Sequence, residues 1–393
     1  MNSKEEIQII IGIVLPYLKS RGTEKQALRL GRGFVEKGAR VILFVVQGWG
    51  NQDLYQAFTR AGVEVVDVGT AVDVNEKKLR ILRFYSLYRL VKEYHCDILL
   101  SRATRTNKIS GIAGLLARIP TVAILDNAVR RYQNTGSKSS LKNELSSINF
   151  RRTLFFPRHI ITISKEGRDN LIFNYPALKD SVTPIQNGVD VDNILNMAQM
   201  PKPYFLPGNR FNLCFSGSIE MNRKGLDILV EALRHLVYEV KQEDLLLTVI
   251  GSGEDLPRVK SLVEQNALQN YVNFYGETSN PYNIIQQADI FIFPSRYEGF
   301  GNALLEAMAL GVCCVAADCD NGPREIIEDG KNGLLIPVGS SSALSDAIMS
   351  LKNDTERRIR LARQGAETIR STFSDNTMVD SYYNLFRKLL LMT

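Results

Sequence analysis

Short apolar runs alternate with amphipathic stretches along most of the chain. Residues 7–15, 41–46, 62–68, 97–101, 121–125, 160–164 and 182–185 have the length and β-branched content of buried strands. Between the first two, residues 24–37 follow a helical period. Ala27, Leu30, Phe34 and Val35 share its apolar side, and Gly38 stops it. Residues 165–173 also read as a helix. Strand, loop, helix, strand is the βαβ unit of a parallel sheet, because parallel neighbours need a crossover. The pattern predicts a doubly wound α/β domain over residues 1–188. A linker follows over 189–209, with Pro201, Pro203 and Pro207. A second series of strands at 211–215, 245–250, 272–275, 290–293, 312–316 and 333–338 predicts a second such domain over 210–372. Its helices are expected at 226–237, 302–310, 341–351 and 354–372, and a last helix at 375–391. No short-period repeat is present.

One stretch concentrates the chemistry. The apolar strand at 290–293 is stopped by Pro294 and Ser295. Gly299 and Gly301 open a turn, and a helix begins at Asn302. A glycine loop that feeds a helix start leaves backbone N–H groups and a positive dipole end for a phosphate-bearing ligand. Glu298 and Glu306 bracket the turn. Glu306, one helical turn past Asn302, projects back toward the helix start.

Composition narrows the class. The chain has 393 residues, of which 45% are hydrophobic and 23% charged, as in globular proteins of two domains. Five cysteines lack paired or metal-type spacing, which points to reduced thiols and a cytoplasmic protein. Three histidines are too scattered for a zinc site. The first apolar run is short and has no basic leader, so neither a signal peptide nor an anchor is expected. Charge is lopsided: 29 basic residues stand against 16 acidic in residues 1–180, and 19 against 26 thereafter. A basic first half suits an anionic partner there, a membrane surface, a lipid-linked phosphate or nucleic acid, or a plain solvated surface.

The run Glu298-Gly299-Phe300-Gly301-Asn302-Ala303-Leu304-Leu305-Glu306, followed by GVCCVAADCDNGPREIIEDGKNGLLIPVG, resembles the donor-sugar motif of the retaining family 4 glycosyltransferases. The resemblance extends over nearly the whole chain, closely in the second half and loosely in the first. It implies two Rossmann-like domains facing a central cleft, the GT-B arrangement, with the helix after residue 373 crossing back to the first domain. It further implies transfer of a hexose or N-acetylhexosamine from a nucleotide sugar, UDP-linked, to a hydroxyl of a glycan or lipid-linked glycan. Glu298 would bind sugar hydroxyls or steady the cationic transition state, and Glu306 the ribose. The amides of Gly299, Phe300, Gly301 and Asn302 would hold sugar and phosphate. Lys224, in Arg223-Lys224-Gly225, matches the family's lysine-glycine pair and would neutralise the diphosphate. Where the family carries an arginine this chain has Ser218, so Arg223 supplies that charge or Lys224 and the backbone suffice. Thr278 falls where the backbone meets the nucleobase, and Gly22 where a glycine loop nears the diphosphate. Asp126 and Asn127 replace a histidine that ends a strand near the transferred sugar. Asp126 could accept a hydrogen bond there or cap a loop.

No cofactor or metal is expected. Asp190-x-Asp192 and Asp318-x-Asp320 read as turn and cap residues rather than cation ligands. Two basic-aromatic segments, 81–92 and 151–158, suit either a core helix with snorkelling cations or a peripheral contact with the inner face of a membrane. No nucleic-acid module is recognisable. Gly251-Ser252-Gly253 lacks the third glycine of a dinucleotide fingerprint, and no P-loop motif occurs. A GT-B sugar-nucleotide epimerase and a non-catalytic nucleotide-sugar-binding protein are the alternatives.

Overall fold

The computed structural model describes residues 8–18, 22–48, 50–69, 76–126, 154, 156–201 and 206–392. The chain forms two compact units. One comprises Met1–Gln186 with Met378–Thr393, and the other Asn187–Thr377.

In the first unit seven parallel strands pair in the order β3-β2-β1-β4-β5-β6-β7. These are β1 Ile10–Leu15, β2 Arg40–Val45, β3 Glu64–Asp67, β4 Ile98–Arg102, β5 Thr121–Leu125, β6 His159–Thr162 and β7 Val182–Pro184. Both β2 and β4 flank β1, so the chain reverses its direction of winding between β1 and β4. The strands are apolar because both faces are covered. The helix Gly22–Glu36 lies against the C-terminal segment. Phe34 packs on Tyr382 and Phe386, with ring centroids 6.5 and 5.4 Å apart. Gly33 is required there, since a Cβ would sit 2.5 Å from Val379.

Two helices of this unit carry little signal in the sequence. Gln52–Arg60 is short and is started by Asn51, whose side chain accepts from the Leu54 amide at 2.8 Å. Thr104–Ala117 opens on five polar residues and contains Gly111 and Gly114. A Cβ on those glycines would lie 2.5 Å from Phe156 and 2.1 Å from Thr121, so close packing rather than propensity selects them.

The helix Glu76–Glu93 resolves one of the two basic-aromatic segments. Leu87 and Val91 are buried, and Phe84 and Tyr88 lie against the same core. Tyr85 is on the outside, 55% exposed, with Arg89 and Lys92. Its aromatic face is therefore largely core, and the exposed cations remain as surface. In the other segment Leu154 is core and Arg158 donates to the Met392 carbonyl at 2.9 Å. Its residues 151–153 and 155 lie outside the described residues, as do Arg21, Asn127 and the polar stretch 135–147.

The second unit repeats the plan with six parallel strands in the order β10-β9-β8-β11-β12-β13. They are β8 Phe211–Ser216, β9 Leu245–Ile250, β10 Val272–Gly276, β11 Ile290–Phe293, β12 Cys313–Ala317 and β13 Leu334–Ile336. The expected linker differs from what is observed. Residues 191–198 form a helix, Val191–Ala198, capped by Asp190 and bound to the second unit by side chains. Asn280 donates to the Met197 carbonyl at 2.8 Å, and Gln286 donates to that of Ala198. Val189 is also tied to the chain's later part: its amide donates to the Phe373 carbonyl at 2.9 Å, and its carbonyl accepts from Asp375 at 3.0 Å. The prolines suggest a linker only from residue 201 onward, of which 202–205 lie outside the described residues. All five cysteines are buried and unbridged.

Candidate active site

The second sheet fixes where a ligand can sit. Between β8 and β11 the winding reverses, and in open α/β sheets ligands bind outside the carboxyl ends of the strands at such a point. The loop after β8 carries Gly217-Ser218, then the short helix Met221–Lys224. The loop after β11 carries Pro294 to Gly301, then the helix Asn302–Ala309.

One glycine lets these loops touch. Gly225 sits at φ +67°, and a Cβ there would lie 2.0 Å from the Pro294 carbonyl oxygen. Arg296 makes the second brace. Its amide donates to the Arg223 carbonyl at 2.9 Å, and its guanidinium grips Asp227 through two bonds of 2.8 and 2.6 Å. Burial would raise the Asp227 carboxyl, but the Arg296 bonds and charge hold it below its ordinary range. Arg296 also donates to the Asn222 carbonyl at 3.0 Å.

The braced loops bring Lys224 and Glu298 together. Lys224 Nζ lies 2.6 Å from Glu298 Oε1, with the two side chains 10% and 8% exposed. Arg223 Nη1 stands 3.4 Å from the other Glu298 oxygen. The Lys224 ammonium also lies 5.3 Å from the centre of the Phe293 ring. Arg223 is itself held from behind. Its Nε and Nη2 donate to Glu220 at 2.7 and 2.6 Å, and Nη2 donates to Ser218 Oγ at 2.9 Å. The Arg223 bonds draw the Glu220 carboxyl down to about 2, with Ser218 and Lys224 adding to the effect against partial burial. The guanidinium thus reaches the residue that stands where the family motif has an arginine.

The glycine bend behaves as its sequence implies. Gly301 has φ +111° and starts the helix without a side-chain cap. Phe300 is buried and faces Phe373, ring centroids 5.9 Å apart. Asn302 Oδ1 accepts from Asn187 Nδ2 at 3.0 Å. Gly322, at φ +138°, passes so near that a Cβ would lie 1.6 Å from the Phe300 carbonyl oxygen. Glu306 is half-buried one turn into the helix. Thr278 follows β10 on the same sheet edge, and its Oγ1 accepts from the Asn280 amide at 3.2 Å.

Glu220, Arg296, Asp227 and Asn187 were not foreseen. Glu220 precedes Arg223 by the i,i+3 spacing of a helical ion pair, which is a legible signal. The others depend on contacts 69 to 115 residues apart in sequence, and carry none.

Two expected site residues belong to the first unit. Gly22 is exposed at the start of the helix Gly22–Glu36. Asp126 follows β5 and accepts from Arg102 Nε at 2.6 Å. Arg102 ends β4, is buried, and is kept protonated: burial opposes the charge, but Asp126 outweighs it, with Tyr382 and Glu24 contributing. The carboxylate is therefore an ion-pair partner, with its side chain 28% exposed.

Both D-x-D pairs have structural partners. Asp190 caps its helix by accepting from the Asn193 amide at 3.0 Å, and Arg324 reaches Asp318 at 2.9 Å and Asp320 at 3.7 Å. Among the described residues no group of three or more His, Cys, Asp or Glu side chains is arranged to hold a metal.

Both units resemble known proteins. Residues 20–193 match the family described as Glycosyltransferase Family 4, and residues 196–368 match Glycosyl transferases group 1. An uncharacterized glycosyltransferase of Methanocaldococcus jannaschii is 29% identical over 64% of this chain and 65% of its own. The lipopolysaccharide core biosynthesis glycosyltransferase LpsD of Rhizobium meliloti is 28% identical over 78% of this chain and 80% of its own. The crystal structure of Anabaena HepE in complex with UDP and glucose superposes with a TM-score of 0.77 at 18% identity, covering 97% of this chain and all of that one. The fold is that of two Rossmann-like domains of the GT-B class. The two matches together take in most of the chain, which belongs to the group 1, family 4 glycosyltransferases.

Proposed function

We propose that the chain is a retaining glycosyltransferase that moves a hexose or N-acetylhexosamine from a UDP-sugar to a hydroxyl of a glycan or lipid-linked glycan. The observation that carries this reading is the Lys224–Glu298 contact of 2.6 Å at the winding reversal of the second sheet, beside the glycine bend at Gly299 and Gly301. A cation, a row of amides and a carboxylate meet there, and a sugar diphosphate needs all three.

In this reading Lys224 and Arg223 take the diphosphate, and the amides of the bend and the start of the helix Asn302–Ala309 take its oxygens and the sugar hydroxyls. Glu298 turns from Lys224 toward the sugar. Glu306 takes the ribose, and the backbone near Thr278 the base. The bond between the sugar C1 and the diphosphate oxygen breaks, and its electron pair leaves with the diphosphate. The acceptor oxygen bonds C1 on the same face, and its proton passes to a diphosphate oxygen. The cationic sugar between these two states is oxocarbenium-like. No metal is invoked, since two cations and the helix start already offset the charge of the leaving group.

The names of similar proteins support the substrate class: one acts in lipopolysaccharide core synthesis, and another was crystallised with UDP and glucose. In this reading Asp126, held by Arg102, serves on the acceptor side. The basic first half supports an acceptor on a pyrophosphate lipid at the inner membrane face, with Arg89 and Lys92 among the exposed cations. The test is a donor screen that reads released nucleoside diphosphate with and without acceptor extract. Acceptor-dependent release that Glu298→Gln lowers by at least 100-fold supports the reading. Turnover of the donor without acceptor, or none with any donor, contradicts it.

A further inference from the structure

The diphosphate subsite contains a carboxylate that its function does not call for. Glu220 grips Arg223 through two bonds of 2.7 and 2.6 Å and accepts from Ser218 at 2.8 Å. Around it lie Arg223 and Lys224 on the same short helix, Glu298 from the loop after β11, and Asp255 from the loop after β9, which accepts from the Met221 amide at 2.8 Å. Tyr297, next to Glu298 in the loop after β11, also faces Arg223 electrostatically. Lys224 and Arg223 are thus met one for one by Glu298 and Glu220. A site built only to bind phosphate tightly would omit the second acid.

We infer that Glu220 sets the balance between donor and product: it holds Arg223 in place of the arginine absent at Ser218, and its fixed charge weakens the grip on released nucleoside diphosphate more than on the nucleotide sugar. This rests on the proposed donor site. The nucleotide sugar is a diester with two negative charges. Loss of the sugar frees a terminal phosphate that takes a third charge above its second ionisation near pH 6 (about 6 for a phosphate monoester). A neighbouring carboxylate repels three charges more than two, and the excess is one unit of Coulomb interaction at short range. Product is expelled without loss of the cation that stabilises it as it forms.

The experiment is calorimetric binding of UDP, GDP and ADP, and of their glucose conjugates, to the full chain and to Glu220→Gln, at pH 8 and at pH 5.5. Gln keeps the length and one acceptor for Arg223. For the nucleotide that binds, the inference predicts that Glu220→Gln tightens the diphosphate at pH 8 by roughly tenfold more than its sugar conjugate. At pH 5.5, where both ligands carry two charges, that difference shrinks to within about twofold. Product inhibition rises in parallel. Equal changes for both ligands at pH 8, a difference that persists at pH 5.5, or weaker binding of both overturns the inference while the donor site stands. If Lys224→Met binds every diphosphate as well as the unaltered chain, or if no diphosphate binds the unaltered chain, the donor site itself is wrong and the inference falls with it. Circular dichroism and thermal melting confirm that each variant is folded.

Discussion

Arg296 is joined to Asp227 by two parallel hydrogen bonds of 2.8 and 2.6 Å, and its own amide holds the Arg223 carbonyl. The pair couples the loop that carries Lys224 to the loop that carries Glu298, although neither member belongs to the proposed donor-binding set. Both side chains are about one-third exposed, so the pair stabilises the fold only modestly, by about 1 kcal/mol. Its larger effect is on geometry. Arg296→Met should lower kcat/KM for the donor by 10- to 100-fold while thermal stability changes little. A cycle with Asp227→Asn should show that the second substitution adds almost nothing to the first. Independent, additive losses would mean that the two residues act separately.

Gly225 and Gly339 make a matched pair. Both have positive φ, +67° and +80°, but only Gly225 faces a wall, the Pro294 carbonyl at 2.0 Å from an added Cβ, whereas nothing lies within 4 Å of Gly339. Gly339→Ala should cost about 1 kcal/mol, the price of a left-handed alanine. Gly225→Ala adds a steric clash that only separation of the two loops relieves. It should cost about 3 kcal/mol and abolish donor binding. Chemical denaturation of both variants gives the comparison, and equal losses would remove the close approach as the reason for glycine.

The Glu220 carboxyl, drawn down to about 2 from the usual 4.5, has a consequence for acid stability. A depressed carboxyl contributes stability that is complete above its unfolded value and is lost as pH falls through its folded value. The unaltered chain should therefore lose this contribution between about pH 4.5 and pH 2, and Glu220→Gln should flatten that part of the profile. The effect is small because the group is partly exposed to solvent. Urea titrations at stepped pH would show it, and identical slopes for both proteins in that window would contradict it.

The second unit of the fold was legible because its signals are local. Parallel strands buried on both faces read as apolar runs, and the turn before Asn302 declares itself through Gly299 and Gly301. Lys224 and Glu298 were legible as separate motif positions, and their 2.6 Å contact is what the fold adds. The helix Thr104–Ala117 was not legible, since its glycines answer to Phe156 and Thr121 on other elements. Residues 191–198 were masked by neighbouring prolines, which outweighed the capping signal of Asp190. The aromatic face at Phe84 and Tyr88 was ambiguous, because a stripe that packs on a sheet and one that meets a membrane have the same sequence. Arg223 could be named as a substitute for the missing arginine, but its attachment to Ser218 and Glu220 emerged only from the fold.

The central claim is that Lys224 receives a sugar-bearing diphosphate at the bend between Glu298 and Glu306. A crystal of the full chain soaked with UDP, or with the diphosphate that binds best, measures this directly. The account predicts a β-phosphate oxygen within hydrogen-bond distance of Lys224 Nζ, with the Lys224–Glu298 contact opened. A diphosphate ordered elsewhere on the chain, with that contact still closed at 2.6 Å, would contradict it.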